Sequence, residues 1–316
     1  MRKLVRQAVS LAVLGIGAVS AALGQDLGRW TTGAPMPSAR SEVAVAAVAS
    51  KVYVVGGSGG GRALEIYDPA ADRWSRGALV PRALHHAATV GVGGKLYVVG
   101  GFANGWTPVD SVYEYNPIAD GWRARAPLPT ARGALATVAL NGKIHALGGI
   151  GSGGRNTRAH EVYDPATDSW TARAPLPTAR DHLAAAVVGG RIYVIGGRIG
   201  GSYARNLAIN EEYDPATDSW RSRAPMPTAR SGIAAAVLDG DILVFGGESP
   251  SGTFDEVEGY DPRTDRWIRY ASMPTARHGL GATALGGRVY VISGGTSPGG
   301  TRPGGSASSV NEVFSH

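Results

Sequence analysis

The chain has 316 residues, with 31 Lys and Arg against 25 Asp and Glu, 47 glycines and no cysteine. The missing cysteine excludes disulfides, thiolate metal sites and cysteine nucleophiles. Lysine occurs only at Lys3, Lys51, Lys95 and Lys143, and the basic residues form no cluster of the kind that reads nucleic acid.

The first element is a leader. Arg2, Lys3 and Arg6 precede an uncharged, mostly apolar stretch from Ala8 to Leu23, and Ser20-Ala21-Ala22 and Ala22-Leu23-Gly24 offer small-residue cleavage sites. Residues 1–24 are expected to be a signal peptide, since the run is short for a spanning helix. An exported protein, periplasmic or extracellular, is therefore expected, with no stable membrane insertion after cleavage. Losing the leader's three cations lowers the formal charge from +6 to +3. Residues 25–316 are long enough to bury a core as one domain.

That domain is a repeat. Tryptophan recurs at Trp30, Trp74, Trp122, Trp170, Trp220 and Trp267, and arginine at Arg40, Arg82, Arg132, Arg180, Arg230 and Arg277. Gly-Gly recurs at 56–57, 100–101, 148–149, 196–197, 246–247 and 294–295. Six copies result, with approximate bounds 35–78, 79–126, 127–174, 175–224, 225–271, and 272–316 completed by 26–34. Each copy reads as four short strands; in the third they are 133–140 (a), 144–147 (b), 160–163 (c) and 170–174 (d). Asn141-Gly142 predicts a tight a–b hairpin, because both central residues of such a turn need φ > 0. Gly93-Gly94, Gly189-Gly190, Asp239-Gly240 and Gly286-Gly287 serve other copies, whereas Ala49-Ser50 predicts a different or looser turn. The c–d link is Asp-Pro-Ala-Thr-Asp-Ser-Trp and its variants, where Asp and Pro set a turn. The last copy stops before any tryptophan, so Arg29–Ala34 is expected to supply its fourth strand and close the ring. Closure leaves no open radial edge.

The Gly-Gly doublet, the period, and a tyrosine seven residues before tryptophan (Tyr67/Trp74, Tyr115/Trp122, Tyr163/Trp170, Tyr213/Trp220, Tyr260/Trp267) resemble the Kelch repeat family over essentially the whole domain. The resemblance implies an all-β, six-bladed β-propeller of four-stranded antiparallel blades around a channel. Gly-Gly, Tyr and Trp are assigned to the frame.

Loop lengths point to one mouth. The segment joining strands b and c varies most, and variable loops on a constant scaffold carry binding functions. Strand direction places these loops beside the d–a connections that carry the arginines. The expected ligand-binding residues are Arg40, Arg82, Arg132, Arg180, Arg230 and Arg277 at the innermost strands, with Trp106, Arg198, Tyr203 and Glu248 on the loops. Glu42, His85, His86, Asp181, His182 and His278 stand nearby, and Phe102, Arg155, Arg205 and Arg302 lie on the loops. A ring of guanidinium groups would attract an acidic protein or peptide or an anionic glycan. In Kelch adaptors this face receives acidic peptides. The alternative for each repeated arginine is a bond to backbone carbonyls or a neighbouring acid, because residues present in every copy usually build the copy.

The four histidines near the mouth come from three copies without a local ligand spacing, so no metal is expected. Kelch-fold copper oxidases use a cysteine crosslinked to tyrosine, which this chain lacks, and no cofactor fingerprint occurs. The leading reading is an exported binding module with no assigned catalytic residue. A second is a sugar-modifying enzyme, since the chain is similar in architecture to the exported N-acetylneuraminate mutarotases (epimerases). A third is a structural role.

Overall fold

The computed structural model describes residues 27–299 and 306–316; the whole of the expected leader and Arg302 lie outside them. Six four-stranded antiparallel sheets make the fold. The first runs Ala44–Val48, Lys51–Val55, Leu64–Asp68 and Arg73–Arg76 from the axis outward. The second to fifth repeat it from Ala88, Ala136, Ala184 and Ala234. In the sixth, Gly281–Leu285, Arg288–Ile292 and Asn311–Ser315 are completed by Arg29–Thr32, with Trp30 opposite Phe314. The ring is closed by the N-terminal strand, as the unequal ends of the repeat required.

The blades follow from their residues. Each second strand has at least four successive fully buried positions, such as Val52–Val55, because both of its faces pack against neighbouring blades. At the a–b turns, Asn141 and Gly142 have φ of 52° and 74°, the left-handed pair that a two-residue hairpin demands. The Ala49-Ser50 turn has left-handed backbone at Ala49 only, yet it is no looser, since Val48 still pairs with Lys51.

The outer edge is stapled by a repeated triad. Tyr163 donates to the Asp168 carboxylate at 2.5 Å, that carboxylate accepts from the Ala126 N–H at 2.9 Å, and Trp170 Nε1 donates to the Ala126 carbonyl at 2.9 Å. The connector leaving one blade is thus held by the next blade's c–d hairpin. The closing blade swaps this polar pair for an apolar one. Phe314 replaces the tyrosine and Gly28 the aspartate, and a Cβ at Gly28 would lie 2.1 Å from the Phe314 ring.

The repeated arginines belong to the frame, which corrects the expectation that they face a ligand. Arg40, Arg132, Arg180, Arg230 and Arg277 have no exposed surface. They pair with Glu65, Glu161, Glu211, Glu258 and Glu312 of their own third strands at 2.5–3.0 Å. A Ser or Thr two residues earlier donates to the same carboxylate, as Thr178 does to Glu211 at 2.8 Å. Arg180 also donates to the carbonyls of Thr178, Val194 and Gly196.

Arg82 is not the sixth member. The backbone carbonyl that receives the Gly57 N–H belongs to Leu84, the role Arg132 plays for Gly101. Leu84 therefore fills the arginine slot, Arg82 the hydroxyl slot, and Tyr113 stands where the glutamate would be. Blade two has exchanged its whole ion-pair cluster at once. A similar shift applies in blade six, where Ser293-Gly294 takes the doublet's place: Gly294 N–H binds the Arg40 carbonyl. With both registers corrected, slot and doublet are always 16 residues apart.

Candidate functional site

The site grows from the residue two places after each arginine slot. Glu42, His86, Ala134, His182, Gly232 and Gly279 all have left-handed backbone, with φ between 51° and 65°. Each donates its N–H to the carbonyl of the preceding one around the axis, and Glu42 donates to Gly279 at 2.7 Å, which closes a six-membered hydrogen-bonded hoop. Two glycines adopt φ > 0 without cost, whereas Glu42, His86 and His182 hold it against their own Cβ atoms. Ala134 shares this backbone, so the hoop itself imposes it on every blade. The residue before each hoop position bridges to the one after the doublet: Ser41 to Ser58, His85 to Phe102, Asp181 to Arg198, Ser231 to Glu248 and His278 to Gly295.

These two rings of positions converge on a cavity whose lining includes Glu42, His86, Trp106, Arg198, Tyr203, Glu248 and His278. Trp106 is 57% exposed at its edge, beside His85 and His86, and the Arg198 guanidinium lies 5.9 Å from the Tyr203 ring. Deeper in the channel the walls are Val45, Ala47, Thr89, Thr137 and Ala282, without a titratable group.

The charged groups form one chain through five blades. Arg198 donates to Glu248 at 2.5 Å, to Asp181 at 3.2 Å and to His182 Nε2 at 2.8 Å, while His182 Nδ1 donates to Asp181. Asn156 donates to the other Asp181 oxygen at 2.5 Å. Burial would raise the Asp181 carboxyl, but the hydrogen bonds from His182 and Asn156 and the charge of Arg198 hold it below the usual carboxylate range. The His278 imidazole sits 3.5 Å from Glu42 and 3.6 Å from Glu248. His86 faces Glu42 at 3.2 Å. Its imidazole titrates well below the ordinary histidine range, first because burial disfavours the cation and then because His182, His85, Arg198 and His278 surround it.

Of the expected ligand residues, the structure brings Trp106, Arg198, Tyr203 and Glu248 together and keeps the repeated arginines away. Arg155 and Arg205 are exposed on the loops. Asn156, and Asn206, which donates to the Glu248 carbonyl at 2.6 Å, were not legible in the sequence. They occupy the same position in blades three and four, each paired with the residue after the doublet and four residues before the third strand, and a match in two copies under unequal loop lengths did not mark them.

Fold and site together define a closed six-bladed β-propeller with a polar, partly aromatic cavity at one mouth. Its residues 134–304 match the profile described as KLHDC2/KLHL20/DRC7 Kelch-repeats domain, and residues 39–78 and 83–129 match the Kelch motif. The chain belongs to the Kelch repeat family. No curated protein sequence matches it significantly. Among solved structures it is similar to the one described as "Structure of YjhT", with a TM-score of 0.77, 18% identity, and 89% and 95% of the two chains covered. That likeness is one of fold.

Proposed function

We propose that the cavity binds a neutral monosaccharide and transfers protons on it, as an enzyme that interconverts the anomers of a sugar must. The observation that carries this reading is the His278 imidazole between two carboxylates in a cavity with aromatic walls. Opening a sugar ring needs a base to take the anomeric hydroxyl proton and an acid to protonate the ring oxygen. The opened aldehyde then recloses on its other face. A donor flanked by acceptors within one sugar's width supplies both transfers. Trp106 and Tyr203 offer faces for the C–H side of a sugar ring.

The charge balance favours a neutral ligand. Glu42, Asp181 and Glu248 stand against the one guanidinium of Arg198. Of the six guanidinium groups expected to draw an anionic ligand to the mouth, five are closed into buried ion pairs. An acidic protein, peptide or anionic glycan held without chemistry keeps support only from the exposed rim residues Arg155 and Arg205. The export leader, if cleaved as its sequence suggests, would place this activity outside the cytoplasm.

NMR exchange spectroscopy of α-glucose, α-galactose and N-acetylneuraminate with the purified protein tests the reading. A neutral sugar should bind and its anomeric exchange should accelerate. His278→Gln and Glu248→Gln should each slow that exchange by about 10²-fold or more while binding persists. Binding without acceleration would make the chain a lectin-like module; preference for the anionic sugar would refute the charge argument.

A further inference from the structure

We propose that Glu42, His86 and His182 hold a divalent transition-metal ion at the axis of this mouth. The three come from the same hoop position in blades one, two and four. Their ligand atoms all lie within 4.8 Å of one another, and Glu42 Oε2 is 3.2 Å from His86 Nε2. Two imidazoles and one carboxylate with the remaining positions open suit a divalent first-row ion such as zinc or iron(II).

The hydrogen-bond chain around the cluster points the same way. The Gly105 carbonyl can only accept, so the His85 Nε2 at 2.7 Å must donate to it. His85 Nδ1 is hydrogen-bonded to His86 Nδ1, 2.6 Å away, which turns His86 Nε2 towards Glu42. His278 repeats the pattern: it is 1% exposed, its Nδ1 meets the Gly295 carbonyl at 3.2 Å, and its Nε2 faces Glu42 and Glu248. His182 Nδ1 is bound to Asp181, which leaves its Nε2 on the cluster side. The Glu42 carboxylate and the Nε2 atoms of His86 and His182 thus converge on one point, each imidazole held through its other nitrogen.

The surroundings are those of a ligand set. Asp181 orients His182 and His85 orients His86, each through the nitrogen away from the cluster, as outer groups do for ligating histidines. Arg198 Nη2, now 2.8 Å from His182 Nε2, is the competitor. The ion displaces that one hydrogen bond, and Arg198 retains Glu248 and Asp181. Arg198 therefore acts against the metal, and its removal should favour binding.

The test is zinc binding without any sugar, so its outcome is independent of the proposed reaction. Tag-free, chelator-stripped protein is titrated with zinc chloride by calorimetry, and its metal content is measured after gel filtration. About one zinc per chain is expected. Glu42→Gln and His86→Gln should lose it, Asp181→Asn should weaken it about 10–100-fold, and Arg198→Gln should tighten it. Crystals of the unaltered protein grown with zinc should show an anomalous peak among the three side chains, which settles the assignment even if a variant does not fold. Failure to retain zinc, a peak elsewhere, or undiminished binding by folded Glu42→Gln or His86→Gln overturns the proposal. So does weaker binding by folded Arg198→Gln.

Discussion

Blade two supplies a natural experiment on the buried ion pair, and blade four is the place to repeat it. Arg180→Leu leaves Glu211, 3% exposed, without its cation, and Glu211→Tyr leaves a fully buried guanidinium without its anion. Breaking a buried pair from either side costs about 3–5 kcal/mol, most of it the penalty of the orphaned charge. Independent effects would then sum to roughly 6–10 kcal/mol in the double variant. The pair Leu84 and Tyr113 shows that both charges can go together. The double change removes the orphaned charge and leaves chiefly the three carbonyls that Arg180 serves, each worth about 1 kcal/mol. Its cost should be about 3 kcal/mol, no more than either single change. Urea unfolding of the four proteins measures this as shifts in midpoint at constant slope. A double variant whose loss equals the sum of the singles would refute the reasoning, since the charges would then not be what the singles disturb. The converse change, Leu84→Arg, buries an unpaired cation and should destabilise blade two by a comparable amount.

Ring closure and a buried histidine pair give two further predictions. Deleting residues 27–34 removes the outer strand of blade six and should lower the melting temperature of the whole domain; an unchanged transition would disprove closure. Trp30→Ala, which loses the bond to the Ala271 carbonyl at 2.9 Å and the packing on Phe314, should cost about 3 kcal/mol, close to Trp170→Ala. His145 and His160 are buried, 2.9 Å apart, and burial pushes them down to about 3 and about 4. Their folded values lie below the unfolded 6.5, so the unfolded chain binds more protons between about pH 4 and 6.5. Stability should therefore be full above pH 6.5 and fall as the pH drops towards 4. His145→Tyr with His160→Asn, the residues of blade four at these positions, should flatten that slope in urea titrations across this range. An unchanged slope would place the acid sensitivity elsewhere.

The sequence by itself determined the frame. A repeat announces whatever every blade needs, so the tryptophans, the tyrosines, the doublets and the closing strand were all legible from spacing. The same logic misled where chemistry was concerned. The arginines stood out because they recur, and they recur because each buried one neutralises a glutamate on the third strand of its own blade, a pairing across 25–35 residues that no local pattern displays. Only the tertiary structure decided that Arg82 had slipped out of register and that Leu84 and Tyr113 replace the pair. The site's location was legible from the variable loops, but the grouping of its residues was not, for the opposite reason. Glu42, His86 and His182 are single residues from blades one, two and four at the hoop position, where the other blades carry alanine or glycine, and His278 stands one residue before that position in blade six. What brings their side chains together is the hoop of backbone hydrogen bonds around the axis. Sequence shows how far apart these residues lie along the chain, whereas the ring closes those distances to a few ångströms by folding each blade to the same axis.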